Sequence, residues 1–124
     1  MPEPERLQGL RVAADPAALD SARWHGETVT VLRFAPDDAL ALGAVGVDLD
    51  DEHAVVEGEA GYVGVWLAVA DLEPHLEWPL PAERPVLAQG AVAGVPAKVW
   101  LPDDGDALLL TACAYAAELG GRLR

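Results

Sequence analysis

The residues of this chain whose types could bind a metal or move a proton are three histidines and the carboxylates near them. His75 lies between Glu73 and Glu77, which gives a Glu-x-His-x-Glu pattern. A zinc site needs about four ligands, and the chain has no pair of cysteines to supply two of them. On a helix the three side chains of this pattern would point in different directions. We therefore interpret His75 as a structural or solvent-exposed residue and expect no metal site.

A second acidic cluster, residues 48–52, stands directly before His53. Carboxylate oxygens at this density could hold a divalent cation loosely. The segment lacks the glycine and the terminal glutamate that an EF-hand calcium loop requires at fixed positions. The sequence therefore favours a solvated turn.

Residues that could act as nucleophiles are few. Ser21 is the only serine, and no Gly-x-Ser-x-Gly sequence surrounds it to form a nucleophile elbow. Cys113 is the only cysteine, and with no cationic neighbour in sequence to stabilise a thiolate it is typical of a small buried hydrophobe. The glycines form no phosphate-binding loop. The sequence thus predicts no catalytic residue and no cofactor, and it favours a chain without catalytic activity of its own.

The chain has four tryptophans, an unusual number for its length. Trp66 and Trp100 lie in apolar, strand-like segments, and we predict that both belong to the core. Trp78 stands beside a proline-rich segment and could equally be a core residue or a surface anchor, since tryptophan is enriched at interface hot spots. We take Trp78, Tyr62 and Leu80 as candidate partner-interface residues.

The composition limits the kinds of partner. With 124 residues, 52% of them hydrophobic, the chain has room for one compact domain. Its 8 basic and 21 acidic side chains give a net charge of −13, which argues against nucleic-acid binding because that requires basic residues along a phosphate backbone. The longest uncharged run, residues 85–97, is too short to cross a membrane, and residues 1–11 lack the features of a signal peptide. The sequence predicts a cytoplasmic protein that binds neither nucleic acid nor membrane.

The elements that must position these residues are short in the first part of the chain. Residues 1–23 have no clear period and predict an N-terminal tail or docked arm, with one helical turn within 17–22. Residues 27–34 are rich in β-branched side chains and predict a strand. An aspartate at position 37 or 38 could cap a short helix that continues to Leu42, where Gly43 is a suitable stop.

Alternating extended and turn segments follow. Residues 45–49 predict a short extended piece, and residues 53–57 and 62–67 predict the two strands of a hairpin joined through glycines. Residues 71–78 predict a helix with Pro74 in its first turn. The prolines that come next predict a stiff connector without regular structure.

The last third of the chain has the clearest pattern. Residues 86–95 and 97–101 predict strands around Gly94, and an acidic turn at 102–106 leads into a further strand at 107–111. Residues 112–123 then predict a terminal helix. The whole predicts a single α+β domain over residues 24–124, with a mostly antiparallel sheet and two or three helices packed on one side.

Part of this last third resembles a known family. The residues that carry the likeness are Val86-Leu87-Ala88-Gln89-Gly90, the stretch from Gly94 to Trp100, Asp103-Asp104-Gly105, and Ala114-Tyr115-Ala116 at the start of the last helix. Their order is similar to that in the C-terminal half of the gamma subunit of heterotetrameric sarcosine oxidase. The resemblance implies a folded subunit, related to folate-dependent aminomethyltransferase domains, that serves a flavoenzyme complex without contributing catalytic residues. The chain departs from that pattern in lacking the arginine or serine often found just before the final Tyr-Ala pair, and in its acidic middle.

Two main classes of function stay open. The first is a non-catalytic accessory subunit or protein-interaction domain that docks on a larger protein, and the resemblance implies a flavoprotein as that partner. The second is a small-molecule binding domain or small enzyme whose pocket is assembled from distant residues such as Arg33, Gln89, Lys98 and Tyr115. A third, an acidic mimic of nucleic acid, would need a regular row of acidic side chains, whereas these are scattered along predicted loops.

Overall fold

The structure is a computed structural model that describes residues 3–123. Its strands and helices show an α+β fold with mostly antiparallel strands, as the sequence predicted. The elements in chain order are β1 (Glu5–Ala13), α1 (Pro16–Asp20), β2 (Arg23–His25), β3 (Thr30–Ala35), β4 (Asp38–Leu42), β5 (Gly46–Asp48), β6 (Val55–Leu67), α2 (Val69–Leu72), β7 (Val86–Val92), β8 (Val95–Leu101), β9 (Ala107–Ala112) and α3 (Ala116–Arg122), with short 3-10 turns at Glu73–His75 and Cys113–Tyr115.

The chain divides into two compact units. One is Leu7–Ala60, and the other comprises the described parts of Met1–Arg6 and Gly61–Arg124. We call the first the N-unit and the second the C-unit.

The N-unit is built from two small groups of antiparallel strands. Strand β4 pairs with β1 on one side and with β3 on the other, while β2 pairs with β5. Val12, Leu19 and Ala39 form its buried cluster. On β1, Arg11 points away from Val12, because successive side chains of a strand alternate. Its guanidinium makes two bonds of 2.7 Å to the carboxylate of Asp38.

Part of the segment predicted as an N-terminal tail or docked arm, Glu5–Ala13, forms strand β1. Residues from Gly9 to Ala13 pair with β4, which lies far along the sequence. The approach is close: a Cβ on Gly9 would lie 2.1 Å from the carbonyl oxygen of Ala41. A glycine at that point hides the alternation that would have indicated a strand. The predicted helical turn at 17–22 corresponds to α1.

The predicted helix from Asp38 to Leu42 is wrong, because this segment is strand β4. Its alanines and leucines favour a helix when considered alone. In the fold, however, both edges of β4 are hydrogen-bonded to neighbouring strands, and Ala39, Leu40 and Ala41 are buried. Tertiary pairing therefore overrides local propensity. Gly43 does end the element, at a positive φ of 82°.

The predicted hairpin of residues 53–57 and 62–67 is replaced by one long strand, β6. The glycines between these segments suggested a turn, yet Gly58 lies within the extended strand. Two-residue hairpin turns need positive φ angles, and Gly58 is not among the residues with positive φ. The strands predicted at 27–34 and 45–49 correspond to β3 and β5.

The C-unit contains the antiparallel strands in the order β6, β9, β8, β7. The predicted hairpin across the acidic turn is confirmed, whereas the strand predicted at 86–95 is interrupted by a second hairpin turn. Ala93 and Gly94, with φ of 51° and 79°, connect β7 to β8, and the acidic turn at 102–106 connects β8 to β9. The segment at 79–85 has no regular structure, as predicted. The predicted helices are shorter than expected: α2 and its 3-10 turn end at His75, and α3 begins at Ala116.

One face of these four strands carries the C-unit core. Val65, Val99 and Leu109 are register partners on this face, and all are buried. Leu72 of α2 and Leu119 of α3 belong to the same cluster, so both helices cover the same face. We call it the core face and its opposite the outer face.

We predict that Leu109→Ala lowers the free energy of unfolding by about 2–5 kcal/mol, because it leaves a cavity among side chains with no exposed surface. Urea denaturation followed by far-UV circular dichroism measures this. Val45→Ala is the control, since Val45 is 82% exposed and its truncation should change stability by no more than about 0.5 kcal/mol. Equal effects of the two substitutions would contradict the placement of Leu109.

Candidate functional site

The outer face of the C-unit strands carries side chains in rows set by the strand register. Trp66 is paired with Leu108, Leu108 with Trp100, and Trp100 with Leu87. We call these four residues the aromatic row. The next row along the strands contains Lys98 and other groove-lining side chains considered below.

The aromatic row overturns the prediction that Trp66 is a core residue. Trp66 is 46% exposed, whereas its neighbours Val65 and Leu67 are buried in the core. The unbroken apolar sequence around it hides the alternation, so that the outward residue cannot be told from the inward ones. Trp100, also predicted for the core, is half-buried at the outer face. The row thus places indole surface in contact with solvent on a regular sheet.

A groove of about 530 Å³ lies beside the aromatic row on the same four strands. The residues that line it are Tyr62, Gln89, Gly90, Ala91, Pro96, Ala97, Lys98, Leu110, Thr111, Ala112 and Tyr115. Most of these side chains are small, which leaves room above the backbone. The volume falls in the range of sites that hold small organic molecules.

A proline explains why the strands leave space here. The pairing of β8 with β9 ends at Lys98 and Leu110. Two residues earlier on β8 stands Pro96, which has no N–H to donate to a ladder. In place of a backbone bond, the hydroxyl of the buried Thr111 donates to the Pro96 carbonyl oxygen at 2.7 Å. Beside the groove, this side-chain bond thus takes the place of the backbone hydrogen bonds between β8 and β9.

Two polar side chains of the groove form an ordered pair. Lys98 and Gln89 are register partners on β8 and β7, and the Lys98 Nζ donates to Gln89 Oε1 at 2.9 Å. An ammonium group only donates, so the amide must turn its oxygen toward Lys98. The Gln89 Nε2 group, with its two donors, is therefore oriented by the same bond.

The charge of the groove differs from that of the whole chain. The chain carries 21 acidic residues, yet none stands among the described residues that line the groove. Lys98 does, and it is the only lysine in the sequence. The groove is thus a locally basic surface on an acidic protein.

The structure brings together three of the four residues named as a possible distant pocket. Gln89, Lys98 and Tyr115 all line the groove. Arg33 does not: it lies in the N-unit, where it pairs with Asp20 at 2.9 Å and donates to the Pro36 carbonyl oxygen at 2.7 Å. The sequence reasoning missed Thr111, whose bond to Pro96 depends on the hairpin register.

The three candidate interface residues occupy different surroundings. Tyr62 lines the groove. Trp78 and Leu80 are half-buried and pack against the C-unit core. The Trp78 Nε1 donates to the Ala91 carbonyl oxygen at 2.8 Å, and the indole covers Gly90, where a Cβ would lie 2.8 Å from the ring. Much of the indole is therefore already used inside the C-unit.

The other groups that could do chemistry are held by structural contacts. Among residues 3–123, no group of three or more His, Cys, Asp or Glu side chains is placed to hold a metal ion. His25 Nε2 lies 3.0 Å from Asp48 Oδ2. The Ser21 hydroxyl donates to the Ala17 carbonyl oxygen, and Cys113 is half-buried in the 3-10 turn before α3.

Asp51 in the acidic turn has a structural role. The backbone N–H groups of Asp15 and His53 donate to its two carboxylate oxygens at 2.8 and 2.9 Å. These two bonds hold the pKa of the Asp51 carboxyl below its ordinary value near 3.8, and the bond from Asp15 has the larger effect. The cluster at 48–52 thus fastens a turn of the N-unit, which agrees with the predicted turn.

No helix among the described residues is both long and apolar enough to cross a membrane. Comparison of the chain with protein-family models, with curated proteins and with solved structures finds no match.

We predict that Gly90→Ala destabilises the protein by about 1–3 kcal/mol, because the added methyl group must displace the Trp78 indole and strain its bond to Ala91. Thermal unfolding and tryptophan fluorescence measure the two effects. Gly58→Ala is the matched control, since Gly58 is also a strand glycine and a Cβ there meets no atom within 4 Å. A Gly90→Ala protein as stable as the control, with unchanged fluorescence, would contradict this packing.

We predict that Asp51 makes stability depend on pH. A carboxyl whose pKa is lower in the folded state contributes stability that is present above about pH 3.8 and is lost as the pH falls through the folded pKa. Asp51→Asn should therefore be less stable than the parent protein at pH 6, and the difference should shrink as the solution is acidified. Urea denaturation across this range measures it. A constant difference would show that the carboxylate charge is not what the two N–H groups recognise.

Proposed function

We propose that this chain is a non-catalytic accessory domain that docks on a larger protein through the aromatic row. The observation that carries the proposal is the 46% exposure of Trp66 on a regular strand, in one row with Leu108, Trp100 and Leu87. Tryptophans on rigid apolar surfaces are the typical anchors of protein interfaces. A sheet face also presents them without the entropy cost of ordering a loop.

Charge next to the row favours a basic partner. The turn between β8 and β9 carries Asp103, Asp104 and Asp106, and all three are exposed. This turn joins the strand of Trp100 to the strand of Leu108, so its carboxylates lie beside the middle of the row. An apolar centre with a charged rim is the usual arrangement of a transient interface. The net charge of −13 would speed association with a positively charged surface.

The resemblance to the sarcosine oxidase gamma subunit supports a more specific version of the proposal. On that version the partner is a larger cytoplasmic flavoprotein, and this chain contributes surface and no reacting group. The segments that carry the resemblance include β7, β8 and the start of the last helix, which also provide part of the outer face.

We predict that the affinity-tagged chain, expressed in its own cells, purifies with a flavin-containing protein. Absorbance near 450 nm detects the flavin, and mass spectrometry identifies the protein. With that protein in hand, Trp66→Ser should weaken binding by at least about tenfold, because it removes the exposed indole. Calorimetry measures the dissociation constants, and added salt should slow association.

The matched control is Val55→Ser, which removes an exposed apolar side chain, 53% accessible, from the N-unit. It should bind like the parent chain. If Trp66→Ser and Val55→Ser bind equally well, the aromatic row is not the docking surface. If the captured protein carries no flavin, the flavoprotein version is wrong while the docking row can still be tested with that partner.

A further inference from the structure

We infer that the groove is a binding site for a small organic molecule with one carboxylate and a flat apolar body. This site uses different side chains from those of the proposed docking row. It goes beyond the accessory role, since it adds a ligand to a domain that otherwise only binds a protein.

The charge of the ligand follows from the lining residues. Lys98 would repel a cationic ligand. No acidic residue stands among the described lining residues to attract one. An anion would instead gain a charge-assisted bond from the ammonium group, and such bonds are about twice as strong as neutral ones. The groove therefore selects for negative charge on a protein whose net charge is −13.

The kind of anion follows from the number and geometry of donors. Lys98 Nζ is one donor group, and the Gln89 Nε2 group, oriented by its Oε1 bond to Lys98, is a second. Two neighbouring donor groups match the two oxygens of one carboxylate. Phosphate sites more often use an arginine fork or a nest of backbone N–H groups, and no arginine stands among the described lining residues.

The rest of the groove determines the body of the ligand. Ala91, Pro96 and Ala112 provide an apolar surface without long side chains. Tyr62 from β6 and Tyr115 from the turn before α3 add aromatic surface. Aromatic side chains form favourable offset-stacked or edge-to-face pairs with other rings, so the two tyrosines favour a flat ring in the ligand. A volume of about 530 Å³ admits a molecule of one or two fused rings.

The test uses three probes of the same shape that differ in charge: 2-naphthoate, 2-naphthylmethanol and 2-naphthylmethylammonium. Each is titrated into the full-length protein and followed by ¹H–¹⁵N NMR, which reports the Gln89 side-chain amide directly. We expect 2-naphthoate to bind with a dissociation constant of about 1 mM or lower, the affinity that typical ligand efficiencies give a probe of this size. The alcohol should bind at least about tenfold more weakly, and the ammonium probe more weakly still.

Three variants then locate the site. Lys98→Met should weaken 2-naphthoate binding by about tenfold or more while leaving the alcohol unchanged, and Lys98→Arg should retain most of the affinity. Gln89→Leu should also weaken binding of the carboxylate. Arg23→Met, which removes one positive charge from a strand of the N-unit outside the groove, is the matched control and should bind like the parent protein.

Equal affinity for the three probes would overturn the proposed selectivity for a carboxylate. Unchanged 2-naphthoate binding in the folded Lys98→Met protein would overturn the assigned site, as would the lack of any shift at the Gln89 amide at saturating probe. The outcome is independent of the docking proposal, because Trp66→Ser should still bind 2-naphthoate and Lys98→Met should still bind the protein partner.

Discussion

The register of strand β9 is the constraint on which the rest of the C-unit depends. Leu108, Leu109 and Leu110 are consecutive and all fully buried, yet they face alternate sides of the sheet. Leu109 completes the core face, while Leu108 stands in the aromatic row. A shift of one residue in the pairing would exchange these roles, because each residue of the strand would then face the opposite side. Core and outer face are therefore specified together.

Two hairpin turns limit the register of the C-unit strands β7, β8 and β9. The Ala93–Gly94 turn has the positive φ angles of a tight hairpin, and the Arg122 guanidinium donates to the Ala93 carbonyl oxygen at 2.8 Å. At the other end of β8, the acidic turn at 102–106 limits how the chain can reverse. Each turn sets the pairing of its two strands before any long-range contact is needed. The α3 helix contributes Leu119 to the core and Arg122 to the first turn, so it both packs on the core face and contacts the β7–β8 turn.

These local signals explain which parts of the fold could be predicted from the sequence. The β8–β9 hairpin was predictable because its aspartate-rich turn marks it within a few residues, whereas the strand predicted at 86–95 runs through the Ala93–Gly94 turn. Strands β1 and β4 were not, since their pairing joins residues such as Val12 and Ala39 across an intervening helix and strands. The β6 error has a similar origin: a glycine in an extended strand looks like a turn until its partners are known.

The candidate site divides in the same way. Gln89, Lys98 and Tyr115 could be named because polar or aromatic side chains stand out in an apolar sequence. That these residues lie close together could not be predicted. It depends on the pairing of Gln89 with Lys98 and on the end of the β8–β9 pairing near Pro96. The exposure of Trp66 could not be predicted, because an apolar residue among apolar neighbours gives no sign of the face of the sheet that it occupies.

The two proposals assign two kinds of molecule to the outer face, and the charge distribution is compatible with both. At an ionic strength of about 0.15 M, charges interact strongly only within about 8 Å. The exposed carboxylates of the Asp103–Asp106 turn therefore act mainly on a large surface that comes to rest beside them. Lys98 acts on a molecule that enters the groove. Its electrostatic interaction with that molecule is strengthened by direct contact and by the partial burial of Lys98. The net charge of −13 does not exclude a small anion from the groove, because no acidic residue stands among its described lining residues. Acidic rim and basic groove can coexist on one sheet face because each charge acts mainly on the surface or molecule in direct contact with it.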